Sequence, residues 1–134
     1  MHFGYPYCHQ GDIVDPDEGK DRTCDEFIAP EVLMGPHVAP LGLIFYTGDQ
    51  FPAVYKNRLL IAEHGSWNRT KPIGYQLSMV DVDAGASQKE IFASGWLEDE
   101  EASGRPVDLE QMPDGSVLVS DDFSDVIYRI TYGK

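Results

Sequence analysis

Residues 59–80 read LLIAEHGSWNRTKPIGYQLSMV, and how they are parsed decides the fold. The stretch opens on an apolar run, Leu59, Leu60, Ile61 and Ala62, and closes on Ile73, Tyr75, Leu77, Met79 and Val80. Both ends have the length and residue types of short strands. Between them stand Glu63, His64, Trp67, Asn68, Arg69 and Lys71. A plain hairpin turn needs about two to five residues. This connection is longer and carries a carboxylate, an imidazole, an indole, an amide, a guanidinium and an ammonium at one strand end.

Working outward, the same kind of element recurs. LGLIFYTG (41–48) is a strand with a glycine stop, FPAVYKNR (51–58) is a turn region, and KEIFASGW (89–96) is a fourth short strand. The order then repeats in degenerate form. RPVDLEQ answers APLGLIF, MPDGS answers FPAVYKNR, SVLVSDD answers LLIAEHG, and VIYRITYGK answers IGYQLSMVDVD. In Met112-Pro113-Asp114-Gly115 the proline presets φ and the glycine permits a positive φ, so a tight turn is expected. Helical signal is nearly absent; the acidic stretch Leu97–Ala102 is expected to form at most one helical turn. Repeated four-stranded antiparallel meanders are the signature of β-propeller blades. The expected organisation is a loop-rich leading segment over 1–36, one full blade over 37–104, and a partial second blade over 105–134. One blade cannot bury both of its faces and needs neighbours.

The composition narrows the function. The net charge is −13 in 134 residues. Proteins that neutralise phosphates need clustered Lys and Arg, so nucleic acid is not an expected partner. The longest apolar runs, such as Leu41–Tyr46, are too short to span a bilayer, and residues 1–7 do not read as a signal peptide. The acids come in blocks, Asp12, Asp15, Asp17 and Glu18, then Glu98 to Glu101. Solvated loops explain such blocks; a calcium-binding extracellular module is the competing reading, although no stretch fits the EF-hand pattern. There are two cysteines, Cys8 and Cys24. A metal site with His9 lacks a C-x-x-C pair. A disulfide is preferred, and it implies an oxidising compartment, periplasmic or secreted. No Ser/His/Asp or Cys/His nucleophile set and no phosphate-binding glycine loop is present.

Taken together, FGYPYCHQGD, CDEF, GPHVAPLG, FYTG, FP..Y.N.L.IAEHGSWNR.KPIGY, GRPVDL and MPDGS.LVSDD....IYRI resemble the C-terminal part of the glucose/sorbosone dehydrogenase family, nearest its sorbosone dehydrogenase-like branch. The resemblance covers essentially the whole chain. It implies an all-β fold, the C-terminal part of a six-bladed β-propeller. It also implies pyrroloquinoline quinone (PQQ) and Ca²⁺ as cofactors and a sugar or sugar aldehyde as substrate. In that family a His base takes the hydroxyl proton, hydride passes to the quinone, and Ca²⁺ polarises a quinone oxygen. Family members are much longer, and the base and most cofactor contacts belong to blades that would precede residue 1. The expectation is therefore a truncated chain, a partial gene or a stand-alone late-blade protein, inactive by itself. A non-enzymatic binding module is the competing reading. In it, copies of two near-blades assemble into a homo-oligomer, or complementing blades are supplied by other chains.

Four residues are expected at the cofactor: His64, Arg105, His37 and Asn68. Arg105 aligns with a family arginine that contacts the quinone, and His64 lies near where the family places Lys or His at the cofactor edge. On propeller geometry the loop after residue 63, His37 and Arg105 open on one mouth of the channel. A planar guanidinium suits a carboxylate. Each has an ordinary alternative. His64 can bond neighbouring backbone, Arg105 can pair with Asp108, Asp121 or Asp122, His37 can close a turn, and Asn68 can brace its own loop. Trp67 is read as a packing lid in preference to a substrate platform. Asp121 and Asp122 end a strand and are read as holders of loop amides or a cation.

Overall fold

The computed structural model describes residues 1–83 and 89–133. Their order is all-β, with short 3₁₀ turns at Cys24–Glu26 and Ala53–Tyr55. The chain divides into two compact units, Met1–Leu33 and Met34–Lys134.

In the first unit, β1 (Cys8–His9) pairs antiparallel with β2 (Ile13–Val14). The reversal runs through Gln10 and Gly11, at φ of 58° and 91°. Two successive positive-φ residues match the right-handed twist of a tight hairpin. Cys8 is bonded to Cys24 with a Cα–Cα distance of 5.5 Å. Both thiolates needed for a metal site are therefore consumed. Beside the bridge, the Arg22 guanidinium lies over the rings of Tyr7 (4.8 Å) and Phe27 (5.1 Å).

The second unit holds two meanders. The first is a four-stranded sheet in the order β3 (Pro40–Phe45), β4 (Leu59–Glu63), β5 (Gln76–Val80), β6 (Glu90–Ala93). The second is three-stranded, with β9 (Pro106–Gln111), β10 (Val117–Asp121) and β11 (Val126–Ile130) ordered β11-β10-β9. Between them lies a hairpin of β7 (Leu97–Glu98) and β8 (Glu101–Ala102). This corrects the helical turn expected over Leu97–Ala102. Asp99 and Glu100 sit at φ of 48° and 67°, a left-handed pair that reverses the chain and is incompatible with a right-handed turn. The β9–β10 turn forms as expected, with the Gly115 amide donating to Met112 O at 2.9 Å and Gly115 at φ 83°.

Side-chain alternation sorts the strands into faces. Ile44, Leu60 and Met79 are cross-strand neighbours, and so are Ala62 and Leu77. This face packs on Leu109, Val117 and Val119 of the second sheet, with Tyr46 and Phe51 closing one end. Leu60, Ala62, Leu77, Val117 and Val119 are fully buried. Each large aliphatic side chain buried so contributes about 1.5–3 kcal/mol. The opposite face of the first sheet carries exposed Leu43, Phe45 and Ile91, and the far face of the second carries exposed Ile127.

Polar clamps hold both ends of this sandwich. At the Phe45 end, the buried Tyr46 hydroxyl donates to Gly115 O (2.9 Å) and accepts from the amides of Gln50 (3.2 Å) and Phe51 (3.1 Å). Gln111 Oε1 accepts from the amides of Thr47 (2.8 Å) and Gly48 (3.0 Å). The clamp at the other end, where β3 starts and β4 stops, is the candidate site.

Candidate functional site

His64 follows the last residue of β4, and its main chain is fixed first. Its amide donates to Ala39 O at 3.0 Å, and the next amide, Gly65, donates to Val38 O at 2.9 Å. Residues 37–39 therefore run alongside residues 64–65. His37 and Ala39 adopt φ of 63° and 50°, so the chain bends sharply as it enters β3. The carbonyls of residues 64 and 65 are taken by one side chain from the other sheet. Arg105, just before β9, donates Nε to His64 O (3.1 Å) and Nη2 to Gly65 O (2.6 Å). The same guanidinium lies 5.3 Å from the centre of the Tyr75 ring, a cation–π distance. Tyr75 packs flat against Gly65, where an added Cβ would stand 2.4 Å from the ring. Its hydroxyl donates to Ser66 O in a short bond.

The His64 ring reaches across to the second sheet. Nε2 lies 2.8 Å from Asp122 Oδ1, at the end of β10. The ring side is only 19% exposed, while Asp122 is 63% exposed. His64 Nδ1 and Arg105 Nη1 make no hydrogen bond among the described residues. The corner thus presents one planar cation with donors to spare and one imidazole with a free nitrogen, both on a braced backbone.

Neighbouring acids are occupied elsewhere. Glu63 is fully buried and holds Lys89 Nζ (2.5 Å) and Gln76 Nε2 (3.3 Å). It anchors the strand that delivers His64. Asp121 is buried. Burial pushes its carboxyl up, but the amides of Arg105, Ser124 and Phe123 and the Tyr128 hydroxyl outweigh it and hold it below the usual carboxylate range. The amides of Phe123 and Ser124 each lie 3.0 Å from Asp121 Oδ1. Asp121 therefore ties the β10–β11 turn to the backbone of Arg105, the loop-amide role read from the sequence.

The connection after His64 is stapled at its base, where the Ser66 amide donates to Ile73 O (2.9 Å) and the Ile73 amide donates to Ser66 Oγ (3.1 Å). Beyond the staple, Trp67, Asn68, Arg69 and Lys71 are exposed. Trp67 is 82% exposed. This corrects the packing-lid reading, because an indole so open covers little apolar surface. Asn68 stands on this outer loop and joins no hydrogen bond to the corner.

Of the four residues expected at the cofactor, the structure joins His64 and Arg105 directly. It lays the backbone beside exposed His37 against them and leaves Asn68 on the flanking loop. The ordinary alternatives also change. Arg105 grips carbonyls and makes no ion pair among the described residues, and of the three carboxylates offered as its partner, Asp108, Asp121 and Asp122, the last belongs to His64. Among the described residues no group of three or more His, Cys, Asp or Glu is placed to hold a metal. No helix among the described residues is long and apolar enough to cross a membrane.

The chain is similar to several known proteins. A protein of Borreliella burgdorferi described as uncharacterized is 42% identical over 140 aligned residues, covering 99% of this chain and 36% of its own. The pyrroloquinoline quinone-dependent pyranose dehydrogenase of Coprinopsis cinerea is 38% identical over 68 residues, 50% of this chain and 8% of that protein. The chain thus spans about a third or less of the curated relatives it matches. Among solved structures, the holo PQQ domain of the Coprinopsis cinerea pyranose dehydrogenase superposes with a TM-score of 0.68 at 24% identity, over 97% of this chain and 40% of that one. The calcium structure of a Trichoderma reesei family AA12 carbohydrate-active enzyme gives 0.72 at 20% identity, over 95% and 37%. These structural likenesses establish a shared fold. The profile described as TrAA12-like matches residues 10–133, and the chain therefore belongs to the TrAA12-like family.

Proposed function

We propose that this chain forms part of the wall of a PQQ site in a sugar oxidoreductase. Its two meanders are then adjacent blades of a β-propeller, the first within residues 37–104 and the second from 105 onward. The observation that carries the reading is the His64–Arg105 corner. Two sheets deliver a guanidinium and an imidazole to one end, and each keeps a nitrogen free. PQQ is a planar tricarboxylate, and such a group needs fixed cationic donors. Arg105 Nη1 and His64 Nδ1 fit it chemically. His37 and Asn68 flank the corner and are proposed as secondary contacts.

PQQ, held by Arg105 and His64, would supply a hydride acceptor for a sugar carbinol or hydrated aldehyde. In this reading the chain's residues bind and orient and supply no base, and the chain alone is expected to reduce no dye with an aldose. The Coprinopsis relative is named for pyranose oxidation with PQQ, which supports a sugar substrate; a sorbosone-type substrate rests on sequence resemblance. The corner offers no Ca²⁺ ligand set, so no step is assigned to calcium. The disulfide supports an extracellular or periplasmic setting.

The test is a calorimetric titration of the full chain with PQQ. Binding that weakens at least tenfold in both Arg105→Met and His64→Ala supports the site. Equal affinity in wild type and both variants rejects it. The exposed rows Leu43, Phe45 and Ile91 on one outer face and Ile127 on the other favour further sheets on both sides. They also support a second reading, a self-assembling module completed by other copies. Sedimentation separates the two: a discrete oligomer supports assembly, and a monomer removes it.

A further inference from the structure

We infer that Asp122 is a positioning residue for His64. It fixes the ring so that an anionic ligand is met by Nδ1, and only when the imidazole is protonated; ligand binding then takes up a proton. The inference deepens the PQQ reading and rests on it for the identity of the anion. An ionised carboxylate has no proton to give, so the 2.8 Å contact requires the hydrogen on Nε2. In the neutral ring, Nδ1 is then a bare lone pair. A lone pair facing a carboxylate repels it. The same nitrogen carrying a proton donates a charge-assisted bond. Asp122 can keep its hydrogen bond to Nε2 in either state, so the ring orientation is held while Nδ1 meets the ligand.

The surroundings do not reverse this. The charged groups on the packed elements include Arg105, whose Nε and Nη2 are on backbone carbonyls, Asp121, whose carboxylate is on turn amides and Tyr128, and Glu63, which holds Lys89; Asp108, on the Leu109 amide, Glu110 and the titratable His37 make no hydrogen bond to the ring among the described residues. Asp122 is the acid that touches the imidazole. Solvent reaches it, so its effect on affinity is modest, roughly two- to fivefold.

The test has two arms. In the free chain at pH 8, imidazole ¹⁵N NMR reads the His64 tautomer. The expected result is the Nε2–H form in wild type and a mixture in Asp122→Ala. In the second arm, calorimetry with PQQ at pH 8 in phosphate and in Tris counts protons. Uptake approaching one is expected in wild type, less in Asp122→Asn, and none in His64→Gln. The Asp122→Asn loss of affinity should be larger at pH 8 than at pH 6. An Nδ1–H tautomer in wild type, an unchanged tautomer in Asp122→Ala, or PQQ binding with no proton uptake overturns the inference. If PQQ fails to bind while the tautomer responds to Asp122→Ala, the positioning role stands and the cofactor reading falls.

Discussion

Tyr46→Phe isolates the clamp at the end of the sandwich remote from His64. The ring stays, and with it the burial of Tyr46 and the edge contact to Phe51 at 5.1 Å between centroids. Only the hydroxyl goes. Its loss strips Gly115 O of a donor and the amides of Gln50 and Phe51 of an acceptor. The Phe51 amide is in a buried bond, so it bears the full desolvation penalty, about 1–3 kcal/mol. The Gly115 carbonyl is likewise in a buried bond, and only the part-buried Gln50 amide recovers part of its penalty from water. The expected destabilisation is about 2–4 kcal/mol, a fall in Tm of roughly 10–30 °C for a unit of this size. Urea unfolding is the assay, with the change read as a lower midpoint at unchanged slope. Tyr46→Ala should cost more, by about the ring's own burial. A Tyr46→Phe loss below about 0.5 kcal/mol, the level of an ordinary surface change, would refute the claim that this hydroxyl joins the two sheets.

Two further outcomes follow from local geometry. Gly104→Ala places a Cβ 2.1 Å from Asp121 Oδ2 and 2.5 Å from Trp96 Cδ1; a thermal melt should show a loss of about 1–3 kcal/mol, with weaker PQQ binding because Arg105 is the next residue, and an unchanged melt contradicts the packing described. In the disulfide unit, the Glu18 amide, the His9 ring and the Asp17 amide hold the Asp15 carboxyl at about 2. The unfolded value is near 3.9, so the folded group is the stronger acid. Its stabilisation is complete above about pH 4 and is lost as pH falls toward 2. Acid unfolding of residues 1–33 followed by NMR should lose this step in Asp15→Asn, and an identical acid profile in that variant counts against the network.

The strands were legible because their signal is local. Apolar runs such as 59–62 and 117–119 are bounded by Gly and Pro, and Met112–Gly115 carries its turn chemistry in four consecutive residues. The Cys8–Cys24 bridge was likewise readable from spacing and surroundings. The hairpin at Leu97–Ala102 was not, because Asp99 and Glu100 lack the usual glycine or asparagine of a left-handed turn. At the site, sequence reasoning grouped His64 with Arg105, which the structure brings into contact, but did not reach their partners. Asp122 was a candidate for Arg105; it meets His64, 58 positions away, and Arg105 turns to backbone carbonyls 40 and 41 positions back. No periodicity encodes such partners; packing of the sheets selects them. Trp67 was misjudged for the opposite reason, since its residue type favours burial while the staple at Ser66 and Ile73 holds it outside.

The most direct trial of the account is a crystal structure of the PQQ complex. It should show cofactor carboxylates within hydrogen-bonding distance of Arg105 Nη1 and His64 Nδ1, with Asp122 still on Nε2. A quinone bound away from both side chains, or an Arg105 and His64 found at different ends of the sheets, would contradict it.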